Sequence, residues 1–342
     1  MLSPVESNAS AKQPLSLADR LLTGDARALA RAISLVENDA PEAQSILSAC
    51  FPHTGRALRI GITGSPGAGK STLVDRLARH LLQASDASAR SAGVGVLAID
   101  PTSPFTGGAI LGDRIRFQAH HDNPGFYARS MATRGALGGL SLATADAALL
   151  LEASGKNTVL IETVGVGQDE IEIARLADIV LVVLVPGMGD DVQSLKAGVM
   201  EIADIFVINK ADRDGADRVE QEIRALQSLA SHHGPGHWIP PVVKTIATAG
   251  QGIADLASTL AEMDHWLRTD DRLAARRAQN WQRRLDAMLR AELMRRARLS
   301  GLDQAHLAAH AARVAARQQD PWQLVARLAS NLLAEDPAGE AL

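Results

Sequence analysis

"GSPGAGKS", residues 64–71, has the spacing glycine, any four residues, glycine, lysine, serine. It follows the apolar run LRIGIT (58–63) and leads into the helix-patterned KSTLVDRLARHLLQA (70–84). A strand, a glycine-rich loop and a helix in that order make a phosphate cradle. The glycines let the chain curl until successive backbone N–H groups face one cluster of phosphate oxygens, and the helix N-terminus adds its dipole. The cradle comprises Gly64, Ser65, Pro66, Gly67, Ala68, Gly69, Lys70, Ser71 and Thr72. Within it the Lys70 ammonium suits the β- and γ-phosphates of a nucleotide, and the Ser71 hydroxyl suits Mg²⁺.

After the cradle short Val- and Ile-rich runs recur: VGVLAID (94–100), TVLIET (158–163), IVLVVLV (179–185) and IFVIN (205–209). Each is too short for a helix and apolar on both faces, as strands of a covered parallel sheet are. Helix-patterned stretches such as GGLSLATADAALLLEA (138–153) separate them. This alternation predicts an α/β fold of the P-loop NTPase kind, with a doubly wound, mostly parallel sheet over residues 55–265. Helical extensions flank it at 1–54 and 266–342. In the first, residues 1 to about 15 are a polar lead-in with Pro4 and Pro14. Leu17, Leu21, Leu22, Leu29, Ile33 and Leu35 then predict two or three short helices, Pro41 opening the last. In the second, Trp281, Leu285, Met288, Leu289 and Leu293 form one apolar stripe that must bury against the core domain or a second subunit. The arginines between them (Arg283, Arg284, Arg290, Arg295, Arg296) read as a solvated face.

A cradle alone does not choose the base. INKAD (208–212) does, because Asp212 at a strand's C-terminal end can accept both the N1–H and the N2–H₂ of guanine. Adenine has no donor at either place and would leave that carboxylate unpaired. The stem of Lys210 can lie along the base while Asn209 ties the loop together. In KTIATAGQG (244–252), Ala247 is placed to offer its amide to the guanine oxygen, although Ile246 stands where a small hydroxyl residue is usual. The expected ligands are GTP/GDP and Mg²⁺.

Asp100 closes the run VGVLAID beside the cradle, where a carboxylate suits direct or water-mediated contact with Mg²⁺. In PTSPFTGGAILGDR (101–114), Asp113 lies on a glycine-containing stretch of the kind that switches with the γ-phosphate; its alternative is a helix cap. Glu162 closes another strand, with Gly165 three residues on placed to sense the γ-phosphate through its N–H. The Glu162 carboxylate can hold a Mg²⁺-bound water or orient the attacking water. Gln168 is either a water-positioning amide or a surface residue. Lys70, Asp113 and Glu162 are thus the candidate catalytic groups, and Ser71, Asp100, Asp113 and Glu162 the candidate metal set.

The chain has 342 residues, 46% hydrophobic and 22% charged, with a formal charge of −4, which gives no electrostatic reason to expect nucleic acid. Aromatic residues at 3% are too few for base-stacking platforms. The single cysteine, Cys50, cannot form an internal disulfide and reads as an inert helix residue in a reducing compartment. No basic leader with an apolar segment opens the chain, and its longest apolar run falls short of the roughly 20 residues of a membrane helix. A cytoplasmic location without membrane contact is expected.

The stretches GITGSPGAGKSTL, AIDPTSPFTGGAILGDRIR, TRGALGGLS, IETVGVGQDE, PGMGDDVQSLKAG and INKAD, in this order, closely resemble the methylmalonyl-CoA mutase-associated GTPases. This MeaB/ArgK family lies within the SIMIBI class of P-loop GTPases. The resemblance covers about 55–265 strongly and the flanks by layout. It implies a GTP-hydrolysing chaperone that binds an adenosylcobalamin-dependent acyl-CoA mutase, gates cofactor loading and protects the mutase. It also implies that the loop from Pro186 to Lys196 is an extra switch at the partner surface, with Asp190, Gln193 and Lys196 as its polar members, and that C-terminal helices make a homodimer. Arg134, in TRGALGGLS, serves the switches or packing. Two other readings are a nickel-inserting accessory GTPase and a kinase of a transport binding protein. The first needs soft or imidazole ligands, for which only the loop histidines His232, His233 and His237 are clustered. The second is opposed by the guanine-reading Asp212. A pure binding switch with slow turnover is partly compatible with the GTPase reading.

Overall fold

Strand β1 (Leu58–Gly64) is the middle of a seven-stranded parallel sheet in the computed structural model, which describes residues 15–84, 93–100, 120, 122–132, 142–163, 169–187, 200–229 and 237–334. Side chains at 100, 132, 169–171 and 331–334 lie outside that description. The other strands are β2 (Gly93–Asp100), β3 (Phe126–Ala132), β4 (Lys156–Glu162), β5 (Ile179–Leu184), β6 (Ile205–Asn209) and β7 (Val242–Thr245). They lie in the order β3-β2-β4-β1-β5-β6-β7. In register, Ile62 of β1 stands beside Glu162 of β4 and beside Leu181 of β5.

Side chains alternate faces along a strand, so each apolar run feeds two cores. Ile60, Ile62, Leu160, Leu181 and Val183 pack on one face beneath the helix Lys70–Gln83, whose Leu73, Val74 and Leu77 are fully buried. Val159, Ile161, Val182, Phe206 and Ile208 pack on the other face. Gly61 points to that second face, where a Cβ would stand 2.6 Å from Ile173 Cγ1, so only glycine lets the helix Asp169–Leu176 lie this close.

Five of the seven strands coincide with the apolar runs; β3 and β7 do not. β3 (FYARSMA) is an edge strand paired only with β2 among the described strands, and its Arg129 bonds Glu37 and Ser34. β7 (VVKT) is the other edge, four residues long and buried only at Val243 and Thr245. Neither has the two-faced apolar signature of a covered strand. β7 also takes up Lys244 and Thr245, so the loop predicted from 244 begins two residues later.

Three helices precede the sheet: α1 (Leu17–Leu22), α2 (Ala26–Glu37) and α3 (Ala43–Cys50). Ser16 and Asp19 form a reciprocal capping box on α1, and Asp25 caps α2 through the N–H groups of Arg27 and Ala28. Pro41 stands two residues before α3. Leu21, Leu29 and Ile33 are buried in the same core as Ala147, Leu150 and Leu151 of the helix Leu142–Ala153. Cys50 lies in this core too, and burial pushes its thiol up, away from reactivity.

Contacts divide the chain into two compact units, Met1–Arg277 and Ala278–Leu342. In the second, the helix Arg272–Leu299 continues and is followed by Gln304–Ala315 and Pro321–Ala334. Ala297 and Leu324 are its buried apolar residues among those described. The predicted stripe is open: Leu285, Met288, Leu289 and Leu293 are between 41% and 59% exposed. Arg284 lies over the Trp281 ring at 4.6 Å, and Arg295 and Arg296 both hold Glu292, whose carboxyl falls to about 2.

Candidate functional site

The chain leaves β1 toward β2 on one side of the sheet and leaves β4 toward β5 on the other. In such sheets the crevice beyond the carboxyl ends of the two strands is the ligand site. A cavity of about 650 Å³ opens there, lined by the cradle, Asp75, Ala98, Ile99, Glu162 and Thr163. That volume is in the range of small-molecule sites, roughly 300–1,000 Å³.

The cradle's shape follows from its glycines. Gly64, Gly67 and Gly69 all have positive φ (136°, 78° and 85°), and a Cβ on Gly64 would stand 2.0 Å from Val183 O. Gly69 caps the helix that starts at Lys70, leaving that helix's first N–H groups at the cavity. Lys70 is 5% exposed, and its ammonium donates to Gly64 O at 2.6 Å and Ser65 O at 3.0 Å. Ser71 Oγ donates to Glu162 Oε1 at 2.5 Å, which joins the first turn of the cradle helix to the end of β4. A hydroxyl beside a carboxylate is a hard-oxygen pair that fits Mg²⁺. Beneath them Thr163 Oγ1 donates to Thr63 Oγ1 at 3.0 Å, both residues fully buried.

The second half of the site adjoins the first. Asn209 Nδ2 donates to Ala68 O at 2.8 Å, and its Oδ1 accepts from Thr245 Oγ1 and from Ala247 N, both at 3.1 Å. One buried amide therefore ties the cradle to both base-side loops. Lys210 adopts φ +56°, a strained conformation for a lysine, and its ammonium reaches Gly67 O at 2.7 Å. Asp212 stands exposed beyond it. The Ala247 amide predicted for the guanine oxygen is donated to Asn209 here, and the hydroxyl missing at Ile246 is supplied one residue earlier by Thr245. Gly252, at φ +74°, brings its backbone so near that a Cβ would stand 2.1 Å from Lys244 O.

The structure thus brings together residues 64–72, Glu162, Asn209, Lys210 and Ala247, and Asp212 follows two residues after Lys210 with its side chain exposed. Asp100 closes β2 at the same edge, but its side chain is not described. Asp113, Arg134, Gly165, Gln168, Asp190, Gln193, Lys196, His232 and His233 lie outside the described residues. Sequence reading missed Asp75, Arg76, Thr163 and Thr245. For Asp75 a signal exists, since it follows Ser71 by four residues and so shares its helix face. Arg76, which donates to Thr248 O at 3.0 Å, carries no such mark.

Gly69→Ala tests the coupling of the two halves. The new Cβ would stand 2.5 Å from Asn209 Nδ2 in a left-handed conformation, displacing the amide that ties them. Affinity for guanine nucleotide, read by isothermal titration, is expected to fall about tenfold, the worth of one lost buried hydrogen bond.

A phosphate cradle at the end of the central parallel strand, beside an N-K-x-D loop on β6, defines a P-loop GTPase. The family model for Methylmalonyl Co-A mutase-associated GTPase MeaB matches residues 29–301. A candidate GTPase of Pyrococcus horikoshii is 51% identical over 78% of this chain and 82% of its own length. GTPase ArgK of Escherichia coli is 37% identical, covering 76% of this chain and 78% of that one. The Methylmalonic aciduria type A homolog, mitochondrial, of Mus musculus is 34% identical over 76% of this chain and 66% of its own. Among solved structures, a LAO/AO transport system kinase superposes with a TM-score of 0.66 at 27% identity, covering 93% of this chain and 96% of that one. The chain belongs to the MeaB family of methylmalonyl-CoA mutase-associated GTPases. It binds guanine nucleotide and hydrolyses GTP to GDP and phosphate. Among the described residues no helix is long and apolar enough to cross a membrane, and no group of three or more His, Cys, Asp or Glu side chains is placed to hold a metal ion.

Proposed function

We propose that the protein is the GTP-hydrolysing chaperone of an adenosylcobalamin-dependent acyl-CoA mutase, gating cofactor loading and protecting the mutase. Membership of the mutase-associated family carries this reading, and the Ser71–Glu162 bridge is the structural observation that supports a nucleotide-driven switch. In it residues 64–72 hold the phosphates, with Lys70 on the β- and γ-oxygens. Asn209, Lys210, Asp212 and Ala247 read the base, and Gly165 senses the γ-phosphate. Ser71, Asp100, Asp113 and Glu162 provide the hydroxyl and carboxylates for Mg²⁺, which when bound neutralises charge on the phosphate oxygens. Glu162 and Asp113 orient water at the γ-phosphate. Asp190, Gln193 and Lys196 form the partner-facing switch.

The open stripe around Leu285 and Leu289 supports a homodimer built by the C-terminal region, 266–342, beside a GTPase domain of 55–265 and an N-terminal extension of 1–54. The cytoplasm, without nucleic-acid or membrane partners, is the expected setting.

Asp212→Ala tests the base assignment. Two hydrogen bonds to a carboxylate are lost, so GTP affinity is expected to fall about a hundredfold while ATP affinity stays put. Unchanged discrimination between the two nucleotides would remove Asp212 from the site. For the partner, co-purification with the mutase in a non-hydrolysable GTP analogue is expected to differ from that in GDP. Capture that ignores the nucleotide would sink the switch. The solved relative's name invokes a transport system kinase; transfer of labelled phosphate from nucleotide to a protein acceptor would favour that activity here instead.

A further inference from the structure

The cradle helix Lys70–Gln83 presents Asp75 to the cavity one turn beyond Ser71, and nothing in the readings above uses it. His120 Nε2 lies 2.8 Å from Asp75 Oδ1, with the imidazole only 6% exposed. The ring also packs against Phe126, the first residue of β3, tilted by 39° with 4.6 Å between centroids. The chain just before Phe126 is pinned in turn. Asn123 Oδ1 accepts from Gly125 N at 2.8 Å, Val94 N donates to Gly125 O at 2.9 Å, and Lys156 Nζ donates to the carbonyls of Pro124 and Gly125 at 3.2 and 3.1 Å. His120 is joined to this pinned stretch through its carbonyl, which accepts from Asn123 N at 3.0 Å, and Asp75 is the point where the cradle helix meets it. The next residue, Arg76, fastens the same helix to the guanine loop through Thr248 O at 3.0 Å. The first turns of the helix, which carry Lys70 and Ser71, are held between these two contacts.

We propose that the Asp75–His120 pair is a positioning latch for GTP hydrolysis: it holds Lys70 and Ser71 in register with Glu162 across the crevice. Nucleotide affinity rests mainly on the cradle amides and the loop 209–212, which the latch does not touch. Loosening it therefore shows in turnover rather than in binding. This inference rests on the GTPase activity alone and is tested without any mutase, so its failure and that of the chaperone reading are separate.

The experiment is steady-state GTP hydrolysis by His120→Ala, His120→Gln, Asp75→Ala and the double variant His120→Ala/Asp75→Ala. A misplacement of under an ångström at the reacting groups costs about tenfold in rate. His120→Ala is expected to lower kcat about tenfold with KM for GTP within about twofold. His120→Gln places an amide N–H at similar reach to Asp75 and is expected to restore most of the rate. Asp75→Ala, at a half-buried position in the middle of a helix where alanine is favourable, removes the latch from the other side if His120→Ala does not fold. The double variant is expected to be little slower than the slower single variant, because the Asp75–His120 contact is lost already in either one. Wild-type kcat in both single variants, a glutamine variant as slow as the alanine one, or losses that multiply in the double variant would each overturn the latch.

Discussion

Lys70→Ala is expected to lower kcat for GTP about a thousandfold, the upper range for removing one preorganised donor from developing transition-state charge. Lys70 is the one cation among the described residues that line the cavity. Its ammonium is already inside, held by Gly64 O and Ser65 O, so little reorganisation precedes its transfer to phosphate oxygens. Lys70 itself lines the cavity, so water can follow into the space that its side chain vacates and meet both carbonyls, and the fold is expected to survive. Single-turnover hydrolysis checks the rate, and far-ultraviolet circular dichroism checks the fold. A loss below tenfold in a folded variant would mean that the cradle does not work on the γ-phosphate through this residue.

The second large effect is on stability and lies at the opposite end of the sheet. Arg277 grips both oxygens of Asp178 at 2.8 and 2.7 Å and also donates to the carbonyls of Gly55 and Ala57, both at 2.7 Å. Asp178, whose side chain is only 3% exposed, in turn accepts from Arg59 N at 2.9 Å at the start of β1. Arg276 makes the parallel grip on Asp204, which accepts from Val180 N at 2.9 Å. The two arginines thus clamp the loops that enter β1, β5 and β6. Arg277→Ala leaves the Asp178 carboxylate buried without its cation, a change that costs about 3–5 kcal/mol. Urea unfolding of the full chain is expected to show that loss as a lower midpoint. A shift worth under about 1 kcal/mol, the range of exposed ion pairs, would show that water replaces the guanidinium.

Sequence reading reached the parts of this fold whose chemistry is local. The motif of the phosphate cradle is eight consecutive residues, 64–71, with obligatory glycines, and the covered strands betray themselves by apolar runs on both faces. Asn209 could be assigned to tying a loop because the motif places it there, although which loops it ties needed three-dimensional contacts. The two edge strands escaped because their environment is half solvent: FYARSMA carries Arg129 outward to Glu37, and VVKT has only two inward residues. Arg276 and Arg277 escaped for another reason. They sit in an arginine-rich helix whose charges look solvated, and their carboxylate partners lie 72 and 99 residues away in the chain. The Asp75–His120 contact joins residues 45 apart with no motif to mark either. Contacts of this kind depend on which strands become neighbours, a property of the sheet order rather than of any short window.

In the proposed function, GTP turnover serves a cobalamin-dependent mutase. The most direct test is GTP hydrolysis by the purified chain with and without purified methylmalonyl-CoA mutase at matched concentrations. A slow intrinsic rate that rises severalfold with the mutase, and does not rise with an unrelated protein, is the predicted result. A rate that is the same with and without the mutase would contradict the claim.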